Sequence, residues 1–247
     1  IIFTIFSINN VNGQKLIGAW ERIHNSENGV QLNSIVIFSK SYQSISTYEL
    51  ESGKFVSSNG GSWSLDGNMM SEIIEYDTQN PERVGEKIQF EIKLKKNKLS
   101  IVGTDLTFKK IDNGKPGKLQ GAWLMSGRVR DGTKQLRNVN RPRKTMKILS
   151  GTRFQWIAYN TESKQFMGTG GGTYTTVDGE YRENIDFFSR DNSKAGLKLK
   201  FDYEIRQNYI DGTENLVGLS APTAAVKGFE YLLHIEKQRE RSEEFIN

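Results

Sequence analysis

Cysteine is absent from the 247 residues. That removes disulfide frameworks, thiolate nucleophiles, Cys-based zinc sites and a lipid-modified cysteine. Histidine is nearly absent: only His24 and His234 occur, so HExxH and His-rich metal spacings are excluded. Proline occurs four times against 24 glycines. After the opening residues no apolar run approaches the ~20 residues of a membrane-spanning helix. The net charge of +5 is mild and singles out no class of partner. With 36% hydrophobic and 26% charged residues, a packed core is within reach and wholesale disorder is excluded. Thr, Ser, Tyr, Phe and Ile recur in short runs, which favours strands over helices.

The chain opens on IIFTIFSINNVNGQK, an apolar run, a polar stretch and then small residues. This reads as the remnant of a secretory signal peptide over residues 1–14, cut after Gly13, so a secreted or periplasmic product is expected.

What is present is a repeat. KLIGAW at Lys15–Trp20 returns as KLQGAW at Lys118–Trp123. Glu51–Tyr76 aligns without gaps on Glu162–Phe187 at a constant offset of 111. Phe55 meets Phe166, Gly60 and Gly61 meet Gly171 and Gly172, Trp63 meets Tyr174, and Glu72 meets Glu183. Matched blocks in the same order at a domain-sized offset indicate duplication. The boundary falls in IDNGKPGKLQ, which has linker character. The expected organisation is domain 1 over 15–112, a linker over 113–117, domain 2 over 118–238 and a charged tail over 239–247.

The glycine run GTGGGTYTTVDGEYRENI (Gly168–Ile185) could be a phosphate loop or a sheet corner. A phosphate loop needs a helix next, usually with GK[ST]. The glycines lead instead to Asp178-Gly179 between alternating residues, a two-residue hairpin signal. That register sets Tyr174 opposite Glu183 and Thr176 opposite Tyr181. It places Tyr174, Tyr181, Glu183, Ile185 and Phe187 on one face, and Arg182, Asn184 and Asp186 on the other. The first repeat turns at Gly67-Asn68, with Trp63 opposite Glu72 and with Met70, Ile74 and Tyr76 on that face. Gly171 and Gly172 mark a strand bend. Further short strands, among them IVIFS, KIQFEIKL, KTMKILS and RFQWIAY, predict an all-β chain, closed to remove sheet edges.

Gly-Ala-Trp opening each copy, with FQW, FMGTGGGTY and GEYRENI in the second, resembles the lipocalin-like domains of secreted bacterial proteins. The resemblance spans most of both copies. It implies two tandem lipocalin-like up-and-down antiparallel β-barrels, with Trp20 and Trp123 as structural residues closing one end. It also implies a ligand-sized interior that holds a small hydrophobic or amphiphilic molecule. Copy one departs from the pattern: Ser44 is matched to Trp156 and Met70 to Tyr181, so its interior is expected to be filled by its own side chains.

Glu183 is the side chain of most interest, since a buried carboxylate needs a partner. It is either protonated and donating to Tyr174, or ionised and paired with an inward-reaching base, for which Arg153 is the candidate. It serves either as a polar anchor for a ligand or as a structural hydrogen-bonding group. Phe154, Trp156, Tyr174 and Tyr181 are candidate lining residues. Tyr159 alternates away from Phe154 and Trp156 and needs a separate explanation. Arg128–Lys147 holds eight basic residues against one Asp, with no interleaved aromatics, so it reads as a solvated loop rather than a nucleic-acid surface. No cofactor is indicated.

Three function classes remain. The leading one is a secreted binder of a small hydrophobic or amphiphilic ligand in domain 2. The second is a non-enzymatic interaction module with filled barrels and no ligand. The third, an enzyme or a haem protein, would need a pocket-facing histidine.

Overall fold

The structure is a computed structural model that describes residues 11–114, 117–130, 133–208, 214–220 and 230–235. Most of the expected leader, the tail 239–247 and linker residues 115–116 lie outside the described residues.

In the first repeat, β1 (Gly18–Asn25), β2 (Gln31–Phe38), β3 (Tyr42–Glu49) and β4 (Phe55–Asp66) run into β5 (Met69–Asp77). β6 (Lys87–Lys95), β7 (Lys98–Ile101) and β8 (Thr107–Lys110) come next. Each strand pairs antiparallel with the next, and β8 returns to β1, which closes the barrel. A short helix, α1 (Val11–Leu16), precedes β1 and runs through the point at which cleavage is expected.

The second repeat contains β9 (Gly121–Arg130), β10 (Thr133–Leu136), β11 (Arg143–Leu149), β12 (Arg153–Asn160) and β13 (Phe166–Val177). β14 (Glu180–Phe188), β15 (Lys198–Asn208), β16 (Glu214–Ser220) and β17 (Glu230–Ile235) complete a nine-stranded antiparallel sheet. β17 pairs back onto β9. β10 is an extra hairpin strand on β9, continuing the edge that β11 begins. The chain is thus all-β in class, with up-and-down antiparallel connectivity in both repeats.

The tryptophan of each Gly-Ala-Trp is buried at the start of its repeat. Trp20 Nε1 donates to the Leu16 carbonyl and Trp123 Nε1 to that of Leu119, each at 2.8 Å. Leu16 and Leu119 are themselves buried, so a leucine and an indole together seal the same position in both copies.

Both hairpins turn where expected. Asp178 and Gly179 have positive φ, as a two-residue hairpin with right-handed strand twist requires. Tyr174 faces Glu183, Thr176 faces Tyr181 and Val177 faces Glu180. In the first repeat Trp63 faces Glu72.

The inner face is corrected at one end. Phe187 and Tyr76 do not share the side of Ile185 and Ile74. A β-bulge lies between Gly171 and Gly172, so that Gly171 pairs with Phe187 and Gly172 with Ile185. The same bulge lies between Gly60 and Gly61. Each bulge inserts one residue, Asp186 or Glu75, and inverts the alternation beyond it. Glycine is required there: a Cβ on Gly172 would lie 1.9 Å from the Asn184 carbonyl oxygen, and one on Gly61 1.9 Å from that of Ile73. The glycine run therefore carries a register shift as well as a bend.

The inverted residues meet across the two repeats. Tyr48, Tyr76, Tyr159 and Phe187 join Ile35, Ile37, Met146, Ile148 and Ile157 in one buried cluster between the barrels. This explains Tyr159: its face of β12 is buried against domain 1 instead of lying in water. The other two clusters lie inside the barrels. One, around Trp20, Phe38, Trp63 and Met70, occupies the first. The other, around Trp123, Phe154, Tyr174 and Tyr181, occupies the second.

Candidate functional site

The candidate site is the interior of the second barrel. β12 carries Phe154 and Trp156 inward, β13 carries Tyr174, and β14 carries Tyr181, Glu183 and Ile185. Tyr174 and Tyr181 pack at 5.5 Å, Tyr181 and Phe201 at 6.0 Å, and Trp156 and Phe188 at 5.4 Å. Tyr174 donates its hydroxyl to the Ser150 carbonyl, not to Glu183.

Glu183 is 4% exposed. Its partner is Lys147, which reaches in from β11 and forms a short ion pair with Oε1. Lys147 stands opposite Trp123 on one side and Trp156 on the other, which fixes its inward face. Its ammonium lies 4.7 Å from the centre of the Tyr181 ring and 5.0 Å from that of Phe154, so both π-faces add to the charge pairing. Of the two alternatives for Glu183, the geometry shows the pairing with a base, but with Lys147 in the place expected for Arg153.

Arg153 lies on the other side of the sheet. Its guanidinium contacts Asp186 at 2.6 Å and Glu21 of domain 1 at 3.9 Å. It belongs to the contact between barrels and not to the interior.

Tyr181 is fully buried, and among the described residues its hydroxyl has no hydrogen-bond partner of good geometry. Burial, followed by the Glu183 carboxylate, which is charged and close enough to engage the hydroxyl proton off the ideal line, pushes its phenol well above the ordinary range. A buried, un-ionised hydroxyl without a partner is unfavourable by about 1–3 kcal/mol. It is also a ready donor or acceptor for anything that enters the barrel.

The first barrel shows what the site becomes without its cation. Val36 holds the position of Lys147, and Gln43 that of Phe154. Among the described residues, Glu72 accepts a 3.3 Å hydrogen bond from Gln43 and has no cation in contact. Burial raises its carboxyl pKa to about 7, with Arg83 and the Gln43 bond opposing. The strand pairing also corrects the matching of copies. Ile45, opposite Asn59, holds the place of Trp156, opposite Gly170, while Ser44 corresponds to Gln155.

Asp112 joins the two repeats. Its Oδ1 accepts from the backbone N–H groups of Ala19 and Gly114, each at 3.0 Å. Its Oδ2 accepts from Ser150 Oγ at 2.6 Å and from Thr152 N and Oγ1 at 3.0 and 2.6 Å. Burial acts to raise its pKa, but these hydrogen bonds, those of Ser150 and Thr152 foremost, hold it below the usual carboxylate value. Ser150 is the residue whose carbonyl receives Tyr174, so this clamp sets one wall of the second barrel.

The basic run Arg128–Lys147 is not one solvated loop. It contains β10, and its last lysines, Lys144 and Lys147, lie on β11 with most of their surface buried. Lys147 was hidden in the sequence by its charged neighbours. The signal for it is that Lys147 and Leu149 alternate with Met146 and Ile148, a strand buried on both faces.

His24 is partly buried on β1, and among the described residues its Nδ1 has no partner. His234 is on β17, and its side chain lies outside the described residues. Among the described residues no group of three or more His, Asp or Glu could hold a metal ion, and no helix is long and apolar enough to cross a membrane.

No protein-family model matches the chain, and no curated protein matches it.

Proposed function

We propose that the second barrel is a binding module for one small amphiphile. Its apolar part packs against the rings of Phe154, Trp156 and Tyr174, and its polar part is received by Tyr181, Lys147 and Glu183. The observation that carries this reading is the Tyr181 hydroxyl, fully buried beside an ion pair and, among the described residues, without a well-aligned partner. Buried polar groups are ordinarily satisfied, and an exception set among aromatic rings is what a ligand group would complete. The resemblance to secreted lipocalin-like domains agrees with the reading and adds export from the cytoplasm to the proposal. In this view the first barrel binds nothing: its aromatic and aliphatic side chains pack on one another, and Glu72 has lost its cation.

The test is native mass spectrometry of protein recovered from the organism that makes it, followed by titration of the delipidated full chain with dodecanol, dodecylamine and dodecanoate. At least one of the three should bind at a single site, and Glu183→Gln should weaken it by about tenfold or more, as loss of a charge-assisted bond implies. No bound mass and no binding of any of the three would favour the alternative. In that case both barrels are filled and the chain acts through its surface.

A further inference from the structure

Contacts between the two barrels occur in reciprocal pairs. Tyr48 stacks on Phe187 at 4.9 Å, and their counterparts at the offset of 111, Tyr159 and Tyr76, pack at 5.2 Å. The Tyr48 hydroxyl donates to Asp186 at 3.1 Å, and that of Tyr159 to Glu75 at 2.6 Å. Phe55 faces its own counterpart, Phe166, at 6.0 Å with nearly parallel rings. Ser44 donates to its own counterpart, Gln155, at 2.6 Å. A residue that touches its own counterpart lies on a twofold axis, and exchanged partners on either side are the mark of an isologous contact. The chain is built as a dimer of barrels whose subunits are joined end to end.

The two faces are not interchangeable. On the axis a serine meets a glutamine, and the Gln155 amide also reaches across to Ser58 at 2.9 Å. Two second barrels would bring two glutamines into that fully buried space, and two first barrels would leave it to two serines. Off the axis, Arg153 sits between Asp186 of its own barrel and Glu21 of the other. Its counterpart in the first barrel is Tyr42, and the counterpart of Glu21 on β9 is Leu124. A pair of second barrels would set Arg153 against leucine. A pair of first barrels would set Glu21 against tyrosine with no cation.

We infer that this face is a heterotypic recognition surface: each barrel binds the other kind as a partner in its own right, and neither binds a second copy of itself. Size on the axis and charge beside it both discriminate, and selection by mismatch of the wrong pairs is how related interfaces are kept specific. The inference stands apart from the ligand reading, because none of these residues faces the interior of the second barrel.

The test replaces linker residues 115–116 of the full chain with a protease site. After cutting, native mass spectrometry should show one species containing both halves in equal number, with no pairs of like halves. Ser44→Gln should release the halves after cutting, and adding Gln155→Ser, which exchanges the two axis residues, should rejoin them. Should Ser44→Gln fail to fold, Glu21→Lys provides the second arm. It is half-buried at the rim and should weaken association of the cut halves about tenfold at low salt, an effect that fades as salt is raised. Halves that part on cutting, like pairs in the spectrum, or association unchanged by Glu21→Lys would each overturn the proposal.

Discussion

Three carboxylates in this chain behave differently because their neighbours differ. Glu183 is buried beside Lys147, Asp112 is clamped by hydroxyl and amide donors, and Glu72 is buried with one amide and no cation in contact. The folded state holds the Glu72 proton more tightly than the unfolded chain, so stability is fully present below about pH 4.5 and is lost as pH rises through about 7. The difference between those values corresponds to about 3 kcal/mol. Glu72→Gln should therefore leave thermal stability unchanged at pH 4 and raise it increasingly up to pH 7, with a plateau above. A melting series across pH checks this; a gain that does not depend on pH would contradict it. Asp112 has the opposite sign. Its lowered pKa gives stability that is present above the ordinary aspartate value and is lost as pH falls through the folded value. Asp112→Ala should cost about 2–4 kcal/mol at neutral pH, since it strands several buried donors at once, and denaturant unfolding measures it.

Register decides which face of the sheet a strand residue occupies. The hairpin registers at Asp178-Gly179 and Gly67-Asn68 were legible because two-residue turns fix which residues stand opposite each other, and a period of two does the rest. The bulges were not legible. Nothing in the alternation of Ile185, Asp186 and Phe187 says that one residue is extra, and a single insertion turns everything beyond it to the opposite face. Arg153 and Lys147 were misassigned for a related reason. A strand with a barrel interior on one side and a second barrel on the other has no watery face, so a charge does not report which side is out. Gly172→Ala tests the bulge. Its methyl group would meet the Asn184 carbonyl oxygen, and stability should fall by about 1–3 kcal/mol or more, whereas the same change at the open Gly179 tip acts only through its positive φ. Equal losses at the two sites would mean that the bulge has room for a methyl group after all.

For the molecule as a whole, the repeat is readable from the offset of 111. The contact between the repeats was not readable, because the residues that make it look like ordinary core positions of each copy. The whole rests on that contact. One barrel holds a cation, a carboxylate and a buried phenol at its centre; the other has valine in the place of the cation. Tyr181→Phe is the sharpest test of the proposed ligand contact in the second barrel, because it removes one atom and nothing else. Binding of the tightest of the three dodecyl probes and the melting temperature are measured on the same full-length variant. Affinity should fall, by up to about tenfold for one hydrogen bond. The melting temperature should hold or rise as a poorly satisfied buried hydroxyl disappears. Unchanged affinity, or a melting temperature that falls with it, would show that the Tyr181 hydroxyl serves the fold and that the ligand site is elsewhere or absent.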